Sequence, residues 1–367
     1  AAAARRARGA WGRAGARALG GAGCGRGERD RWWEMAPKNS AFVFLKPHAV
    51  TDACKALVKQ RLADEGIQVV GEGALGAAEI DEKRLIDQHY YAIASKATIL
   101  KPEQMPVPAE RFRRKFGLGW KEALDKGVVL NAMDACSYLG LDAAGLEKAW
   151  RRAKEGGQMV KFGGGFYCGL VEVPGKEPVY VFNGFFMSMR ESFVRPGASI
   201  HYYVVEWEAT KLSWADFRGK LLGPTDPAEA PAGSLRGAIY GRWKELGLAA
   251  KPGGGDNGVH ASASPFEALA ERMNWLGVSP ETDEFGRALL KAGVSKKTLK
   301  TWTTDPQVTF GPVPITTSLF DMLEDTDTDL CLAQAAMING QGFPAAHCAT
   351  SFALGLGAGY LLWKLLK

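Results

Sequence analysis

The chain has 367 residues, 46% of them hydrophobic and 23% charged, a composition typical of a globular protein and not of a disordered one. Its formal net charge is +6, but eight Arg and only three acidic residues lie in residues 1–34. Without that segment the 46 basic and 40 acidic residues fall to 38 and 37, a balance that does not indicate nucleic-acid binding. The six cysteines form no C-x-x-C pair, so neither a cysteine-based zinc site nor a disulfide framework is indicated, and a reducing compartment is favoured.

Residues 1–39 form a basic leader rich in Ala, Gly and Arg, which we expect to be disordered and exclude from the fold. The leader is basic and poor in acidic residues, the first of which is Glu28, and in this it resembles an organelle transit peptide. It contains no Ser, however, and Met35 opens an ordinary start, M-A-P-K-N-S. Organelle targeting and a translated leader that precedes the true start therefore both stay open.

Apolar and amphipathic segments alternate in the next part of the chain. The apolar run at 41–45, which ends at a Lys-Pro pair, predicts a buried strand. Residues 51–65 have apolar side chains at helical spacing, residues 67–70 return to an apolar run, and residues 81–94 again show helical spacing. The sequence thus predicts a strand, a helix, a strand and a helix with short connections.

Residues 95–182 depart from this alternation and predict an inserted α+β subdomain. A Pro-broken loop precedes two helical segments, 109–124 and 143–154, and two apolar runs then flank the turn P-G-K-E-P as a hairpin. The glycines at 163–165 are not followed by a Lys-Ser or Lys-Thr pair, so we interpret them as a bulge or turn and not as a phosphate-binding loop.

The segment 251–277 holds the residues that most suggest chemistry. A Gly-rich stretch leads to His260, after which Ser264 has the position of a helix N-cap and Glu267 that of the reciprocal acceptor in a capping box. The helix that follows carries Glu271 back towards His260. A histidine just before a helix, with a carboxylate about two turns in, can act as an activated nucleophile, although this spacing alone also fits a loop histidine without a role.

Several motifs resemble those of the nucleoside diphosphate kinase family. The string N-G-V-H-A-S-A-S, with Glu271 eleven residues after His260, resembles the family's active-site segment N-x-x-H-G-S-D-S. F-V-F-L-K-P-H-A-V is similar to the family's opening strand, D-Q-H-Y-Y to its H-Y segment, and G-P-T-D-P-A-E-A-P-A-G-S-L-R-G to its L-G-x-T-N-P…G-T-I-R-G-D loop. The matching pieces lie in residues 40–94 and 183–277.

The resemblance implies an α/β fold with a ferredoxin-like, four-stranded antiparallel sheet and covering helices. The kinase-like domain would comprise 40–94 and 183–277, interrupted by the inserted α+β subdomain 95–182 and followed by a helical C-terminal extension, 278–329. Relatives in this family assemble into oligomers, so the resemblance also implies a homo-oligomer.

The resemblance further implies a function and a site. His260 would take the γ-phosphate from a nucleoside triphosphate and pass it to a nucleoside diphosphate in a ping-pong cycle, with Glu271 orienting the ring. The remaining residues implied are Lys46 and Arg236 on the transferred phosphate, Lys220 and Thr225 on phosphate oxygens, Asn257 on the sugar hydroxyl, Tyr90 lining the site, and Phe186 stacking on the base. Mg²⁺ would be held mainly by the nucleotide's own phosphates and not by direct metal ligands.

Three departures from the family pattern leave a second function open. Ala263 stands where the family has an acidic residue, and Lys220 where an Arg is usual. The insertion interrupts the helical hairpin that walls the nucleotide cleft in this family. The alternative is therefore a weak or inactive relative that serves as a scaffold or nucleotide-binding module, recruited through its insertion and tail.

The C-terminal part predicts helices and then an uncharged tail. We interpret the acidic run D-M-L-E-D-T-D-T-D within 278–329 as a solvated face, because it lacks the Gly and the Glu of a calcium loop. In the tail, 330–367, the stretch 345–363 is just long enough to span a bilayer. A membrane anchor and a docked terminal helix both stay open, and we expect an intracellular protein that faces the cytoplasm, anchored or not to an organelle membrane.

Overall fold

The computed structural model describes residues 38–163, 165–310 and 315–340. The leader before residue 38 and the tail from residue 341 onward, including the candidate anchor 345–363, lie outside the described residues. Within the part that is described, none of the helices combines the length and the apolarity that a membrane crossing requires.

The first part of the chain alternates strands and helices, as predicted, but with different limits. Its elements are β1 (Asn39–Leu45), α1 (Asp52–Asp64), β2 (Gln68–Gly76), α2 (Ala77–Glu82), α3 (Leu85–His89) and α4 (Tyr91–Ala94). The single helix predicted over 81–94 is broken, because Arg84 has a left-handed backbone with φ of 52°, which a right-handed helix cannot contain. This break separates α2 from α3, and α3 ends at His89, a residue that becomes important below.

The middle part, which the sequence predicts as an inserted subdomain, contains both helices and strands. Its elements are a π-helical turn (Ser95–Ile99), a 3₁₀ turn (Pro102–Gln104), α5 (Ala109–Phe116), α6 (Trp120–Asp125), β3 (Val129–Asn131), α7 (Ala132–Leu139), α8 (Ala143–Glu155), β4 (Met159–Gly163), β5 (Phe166–Val171) and β6 (Val179–Phe182). The helix predicted over 109–124 is two helices, because Gly117 ends the first with a φ of 74°. The predicted hairpin is the antiparallel pair of β5 and β6.

The last part returns to the first sheet and then continues into the extension. Its elements are α9 (Phe186–Val194), β7 (Ser199–Trp207), α10 (Trp214–Asp216), a π-helix (Phe217–Leu222), α11 (Leu235–Gly241), β8 (Val259–Ala261), α12 (Pro265–Leu276), α13 (Glu284–Lys291), α14 (Lys296–Trp302), β9 (Gln307–Phe310), β10 (Ile315–Ser318), α15 (Leu319–Leu323) and α16 (Thr328–Ile338).

The first sheet has four strands in the order β2-β7-β1-β8, and every pair in it is antiparallel. This is the arrangement expected of a ferredoxin-like β-α-β-β-α-β unit. Side chains of β1 alternate between two cores: Val43 and Leu45 pack with α1, whereas Phe42 and Phe44 pack with Trp275 of α12. Both faces of the sheet are therefore buried, which accounts for the unbroken apolar run of β1.

A second sheet, with the order β3-β6-β5-β4, lies between residues 129 and 182. It is mixed, because β3 runs parallel to β6 while the other pairs are antiparallel. Buried Asn183 links its end to the first part of the chain: Nδ2 donates to the carbonyl oxygens of Ile93 (2.9 Å) and Gly165 (2.8 Å), and Oδ1 accepts from Tyr167 N (2.9 Å). The domain limits 40–94, 95–182 and 183–277 remain predictions, since the second core also contains Ala94 and Phe186.

The extension beyond α12 packs against that helix through Phe266 and Leu269. Its far end returns to the start of β1, where Nδ2 of Asn39 donates to Asp327 Oδ1 (2.7 Å) and Thr328 N donates to Asn39 Oδ1 (3.0 Å). The segment around residue 325 is thus attached to the same strand that leads to Lys46.

Candidate functional site

His260 lies on the edge strand β8, directly opposite Phe44 of β1. Its strand neighbours Val259 and Ala261 point into the first core, so the histidine points to the other face. There its ring stacks on Phe44 with centroids 4.7 Å apart. The side chain is 15% exposed, which leaves one edge accessible.

Glu271 holds one nitrogen of this ring. Its Oε1 lies 2.6 Å from Nε2 of His260, and its Oε2 accepts a 2.5 Å hydrogen bond from Ser262 Oγ. Ser262 is itself fixed because Oγ accepts from Phe42 N at 2.9 Å. A carboxylate acceptor at Nε2 selects the tautomer with its proton there, so the lone pair lies on Nδ1. Within the described part of the chain, Nδ1 makes no hydrogen bond.

The helix start at Ser264 follows the prediction with one change. Ser264 Oγ accepts from Glu267 N at 3.1 Å, as an N-cap does. The carboxylate of Glu267 accepts from Ala263 N at 3.1 Å instead of closing the box on Ser264. The Glu267 carboxylate therefore lies next to Ala263, the position at which the family motif has an acidic residue.

Two predicted cations, Lys46 and Arg236, face His260, and both are held by backbone carbonyls. Lys46 Nζ donates to Gly255 O at 2.8 Å, and Arg236 donates to Val259 O at 3.2 Å and to Gly223 O at 2.9 Å. Burial lowers the pKa of Lys46 to about 8 and that of Arg236 to about 10. Neither forms a salt bridge among the described residues, so their charges are available to an anion.

Burial of His260, together with the charges of Lys46, Arg236 and Arg218, holds its pKa well below the usual value. The imidazole is therefore neutral at physiological pH. A neutral imidazole with a free Nδ1 lone pair, facing several cations, can act as a nucleophile towards an electrophilic anion.

Arg218, not Lys220, contributes the third cation, which corrects the role predicted for Lys220. Lys220 is 65% exposed and pairs only with Asp216 on the surface. Both residues lie in the π-helix 217–222, in which Arg218 faces the extension and Lys220 faces the surface. Arg218 is 26% exposed and bonds to Glu324 Oε1 (2.7 Å) and Asp325 Oδ1 (2.6 Å) of the extension.

This pairing also corrects the interpretation of the acidic run as a solvated face. Glu324 and Asp325 are only about one-third exposed, and Asp325 N donates to Ala263 O at 2.9 Å, in the loop between His260 and α12. Asp327 Oδ1 accepts from Trp214 N at 2.7 Å. The extension is therefore attached to the site itself.

Asn257 and Thr225, two residues of the predicted site, lie together, because Asn257 Nδ2 donates to Thr225 O at 3.0 Å. Asn257 is buried and its Oδ1 has no hydrogen-bond partner in the described structure, while Thr225 is exposed. Tyr90 contacts His89 edge-to-face at 4.6 Å, and burial raises the pKa of its hydroxyl.

Phe186 does not have the position predicted for a base-stacking residue. Its side chain is fully buried in the second core with Ala97, Leu146 and Val181. It begins α9, and that helix turns it inward, so neither face of the ring is open to a nucleotide.

His89 also contacts this site, although in the sequence it stands out only as part of the D-Q-H-Y-Y segment, with no role assigned to it. Its Nδ1 lies 3.4 Å from Glu271 Oε1 and accepts from Trp275 Nε1 at 3.3 Å. Burial and the neighbouring His260 lower the pKa of His89 to about 3, so it too is neutral. A helix histidine far from His260 in sequence gives no local signal of this contact.

The two carboxylates of α12 share a polar cavity with His89. A cavity of about 190 Å³ lies between α3, α12 and the extension, and it is lined by Gln88, His89, Glu267, Ala270, Glu271, Met273, Asn274, Thr303 and Phe320. Burial raises the pKa of Glu271 to about 7 and that of Glu267 to about 8. His89, His260 and Glu271 are close enough to share one metal ion, since their ligand atoms all lie within 4.8 Å of one another.

Comparison with known proteins gave matches only among solved structures, since no protein-family model and no curated protein matches the chain. A nucleoside diphosphate kinase from Encephalitozoon cuniculi is 14% identical, with 65% of this chain and 89% of that chain covered and a TM-score of 0.32. An NDP kinase from Pyrobaculum aerophilum is 17% identical over 65% of this chain and 96% of that chain, with a TM-score of 0.32. A nucleoside diphosphate kinase family protein from Babesia bovis is 14% identical over 66% and 90%, with a TM-score of 0.31.

Proposed function

We propose that the chain is a nucleoside diphosphate kinase, which transfers the terminal phosphate of a nucleoside triphosphate to a nucleoside diphosphate through a phosphohistidine at His260. One observation carries the proposal: a neutral imidazole, held at Nε2 by Glu271, leaves Nδ1 free beside the cations Lys46, Arg236 and Arg218. Phosphoryl transfer needs mainly such positioning and charge neutralisation.

In the first half-reaction the Nδ1 lone pair attacks the γ-phosphorus. A nitrogen–phosphorus bond forms, the bond from phosphorus to the bridging oxygen breaks, and the nucleoside diphosphate leaves with that electron pair. The ring becomes positively charged, and Glu271 stabilises it through the Nε2 hydrogen bond. The second half-reaction is the reverse, with the terminal oxygen of another diphosphate attacking phosphorus and the imidazole leaving.

The other residues bind the nucleotide in this proposal. Lys46, Arg236 and Arg218 neutralise charge on the phosphate oxygens. The free Oδ1 of Asn257 accepts a hydrogen bond from a sugar hydroxyl, and the exposed Thr225 hydroxyl donates to a phosphate. Tyr90 lines the site through its contact with His89. Lys220 and Phe186 take no part.

Mg²⁺ fits the proposal as an ion that arrives with the nucleotide. The carboxylates of Glu324 and Asp325 are already paired with Arg218, and Mg²⁺ is commonly bound through substrate phosphates and few protein oxygens. The bound ion would neutralise charge on the β- and γ-phosphates. A homo-oligomer also remains a prediction.

The second candidate is a nucleotide-binding module with little or no transfer activity. The observation in its favour is that Glu324 and Asp325 already pair with Arg218, so one of the three cations is partly neutralised before any phosphate binds. It would bind nucleotides without forming a phosphohistidine.

Labelling distinguishes the two functions. Purified protein is incubated with γ-labelled ATP and Mg²⁺ beside His260→Ala and, as a matched control, His201→Ala, which removes a histidine that pairs with Glu72 away from the site. We expect an acid-labile, base-stable label on the wild type and on His201→Ala, none on His260→Ala, and transfer of the label to added GDP. Nucleotide binding without any label would support the binding module and contradict the kinase.

A further inference from the structure

Two imidazoles and a carboxylate converge on one point at the candidate site. His260 Nε2 is 2.6 Å and His89 Nδ1 3.4 Å from Oε1 of Glu271. We propose that His89, His260 and Glu271 bind a divalent transition-metal ion of the zinc type. This ion is separate from the Mg²⁺ that accompanies a nucleotide.

The spacing of the donor atoms fits such an ion with a small adjustment. Zinc binds imidazole nitrogen and carboxylate oxygen at about 2.1 Å, so neighbouring donors in a tetrahedral site are about 3.4 Å apart. The His89–Glu271 separation already has this value, and the His260–Glu271 pair must open by less than about 1 Å as the ion replaces the shared proton. The donors come from α3, β8 and α12. Helices α3 and α12 pack in one core, and the His260 ring from β8 stacks on Phe44 of that core.

The charge of the cluster favours a cation. Glu271 is buried, and its ion-pair partners among the described residues are the imidazoles of His89 and His260. A buried carboxylate without a permanently charged partner is costly, and a divalent ion would supply a positive charge beside it.

The kinds of ligand decide which ion is expected. Two imidazoles and one carboxylate suit Zn²⁺, Co²⁺, Ni²⁺ or Cu²⁺, whereas Mg²⁺ prefers oxygen ligands alone. Ser262 binds the second oxygen of Glu271 and so directs Oε1 towards the histidines, which is how outer hydrogen bonds usually orient metal ligands.

The cavity beside the cluster supplies access and a fourth ligand. Its volume of about 190 Å³ has room for several waters, and His89 and Glu271 both line it. Glu267 lines it as well, so either a water or this carboxylate can complete the coordination. Three protein ligands with one open position is the coordination pattern of catalytic zinc sites.

Two features oppose the ion, so we expect weaker binding than at a structural zinc site. Lys46, Arg236 and Arg218 face His260 and repel any cation. The 3.3 Å contact from Trp275 Nε1 to His89 Nδ1 must also be given up.

Metal binding has a consequence for catalysis, which rests on the proposed function. An ion on Nε2 withdraws electron density from the ring and engages Glu271, so Zn²⁺ should slow phosphorylation of His260. Binding itself requires no nucleotide and no activity, so it can be tested even if the chain is not a kinase.

Co²⁺ reports both the binding and its geometry. Full-length, metal-free protein is titrated with Co²⁺ while visible absorption is recorded, and His89→Gln is compared with His201→Gln. The control fits because His201 also pairs with a glutamate, Glu72 at 2.9 Å, but this pair is exposed and belongs to no group of three metal-binding side chains among the described residues. We expect the intense absorption of tetrahedral Co²⁺, which saturates at one Co²⁺ per chain and is lost when Zn²⁺, but not Mg²⁺, is added. His201→Gln should show the same absorption, whereas His89→Gln should bind Co²⁺ at least tenfold more weakly.

X-ray absorption at the zinc edge on wild-type protein adds a test that does not depend on a variant folding. It should show two imidazoles with the remaining ligands oxygen. Sulfur ligands, a single imidazole, no tetrahedral Co²⁺ absorption, or equal affinity in wild type and a folded His89→Gln would each overturn the site. Failure of phosphohistidine formation would instead concern the proposed function alone.

Discussion

Replacing Arg218 by Met tests which residue supplies the third cation of the site. The structure indicates Arg218, whereas the sequence predicts Lys220. Met preserves much of the aliphatic stem, so packing is largely retained while the charge is removed. Lys220→Met is the matched control, because it removes a like charge two residues away in the same π-helix.

The magnitude follows from the contacts. A hydrogen bond from a charged group contributes about 1.5–3 kcal/mol, which corresponds to roughly 10- to 150-fold in kcat/KM. Glu324 and Asp325 partly neutralise Arg218, so we expect the lower end, about 10-fold. Lys220 takes part only in an exposed pair worth about 0–1 kcal/mol to stability, and its loss should change kcat/KM by less than about 2-fold.

Steady-state phosphoryl transfer from ATP to a nucleoside diphosphate is the assay, with the free energy of unfolding measured in parallel. Arg218→Met leaves two partly exposed carboxylates without their cation, which should cost only about 1 kcal/mol of stability. A loss of kcat/KM in Lys220→Met equal to or larger than that in Arg218→Met would refute the reasoning.

Three further predictions concern the scaffold of the site and are read from the free energy of unfolding. Ser262→Ala should lower the free energy of unfolding by about 3 kcal/mol, because Glu271 and the buried Phe42 amide lose their partner. The N-cap variant Ser264→Ala should lower it by about 1 kcal/mol, and equal losses in the two variants would contradict this prediction. Because burial raises the folded-state pKa of Glu267 from 4.5 to about 8, its ionisation destabilises the fold as pH rises through that window. The free energy of unfolding of Glu267→Gln should therefore exceed that of the wild type by about 1–2 kcal/mol at about pH 9 and equal it at about pH 4. A difference that does not change with pH would contradict this prediction. Gly237→Ala should cost about 2–3 kcal/mol, since its Cβ would lie 2.0 Å from Pro231 O, while Gly241→Ala, in open space, should be neutral or stabilising.

The His260–Glu271 pair was predictable from the sequence because its geometry is local. A strand, an N-cap at Ser264 and two helical turns fix where Glu271 points, whatever the rest of the chain does. The strands of the first sheet and the helices that cover it were predictable for a similar reason. A continuous apolar run indicates a strand buried on both faces, and apolar residues at helical spacing indicate a helix buried on one face.

The residues that sequence reasoning missed depend on distant contacts. Arg218 meets Glu324 across 106 positions of the sequence, a contact that no local pattern indicates. His89 meets Glu271 only because the sheet brings α3 and α12 together. Phe186 was assigned wrongly because a motif position does not tell which side of α9 faces the core.

The most direct test of the central claim is to identify which nitrogen of His260 carries the phosphate. Protein labelled with ATP and Mg²⁺ is examined by ³¹P NMR, which distinguishes phosphate on Nδ1 from phosphate on Nε2. Because Glu271 holds Nε2, the proposal predicts phosphate on Nδ1, lost on adding a nucleoside diphosphate. Phosphate on Nε2, on another residue, or on no residue at all would contradict it.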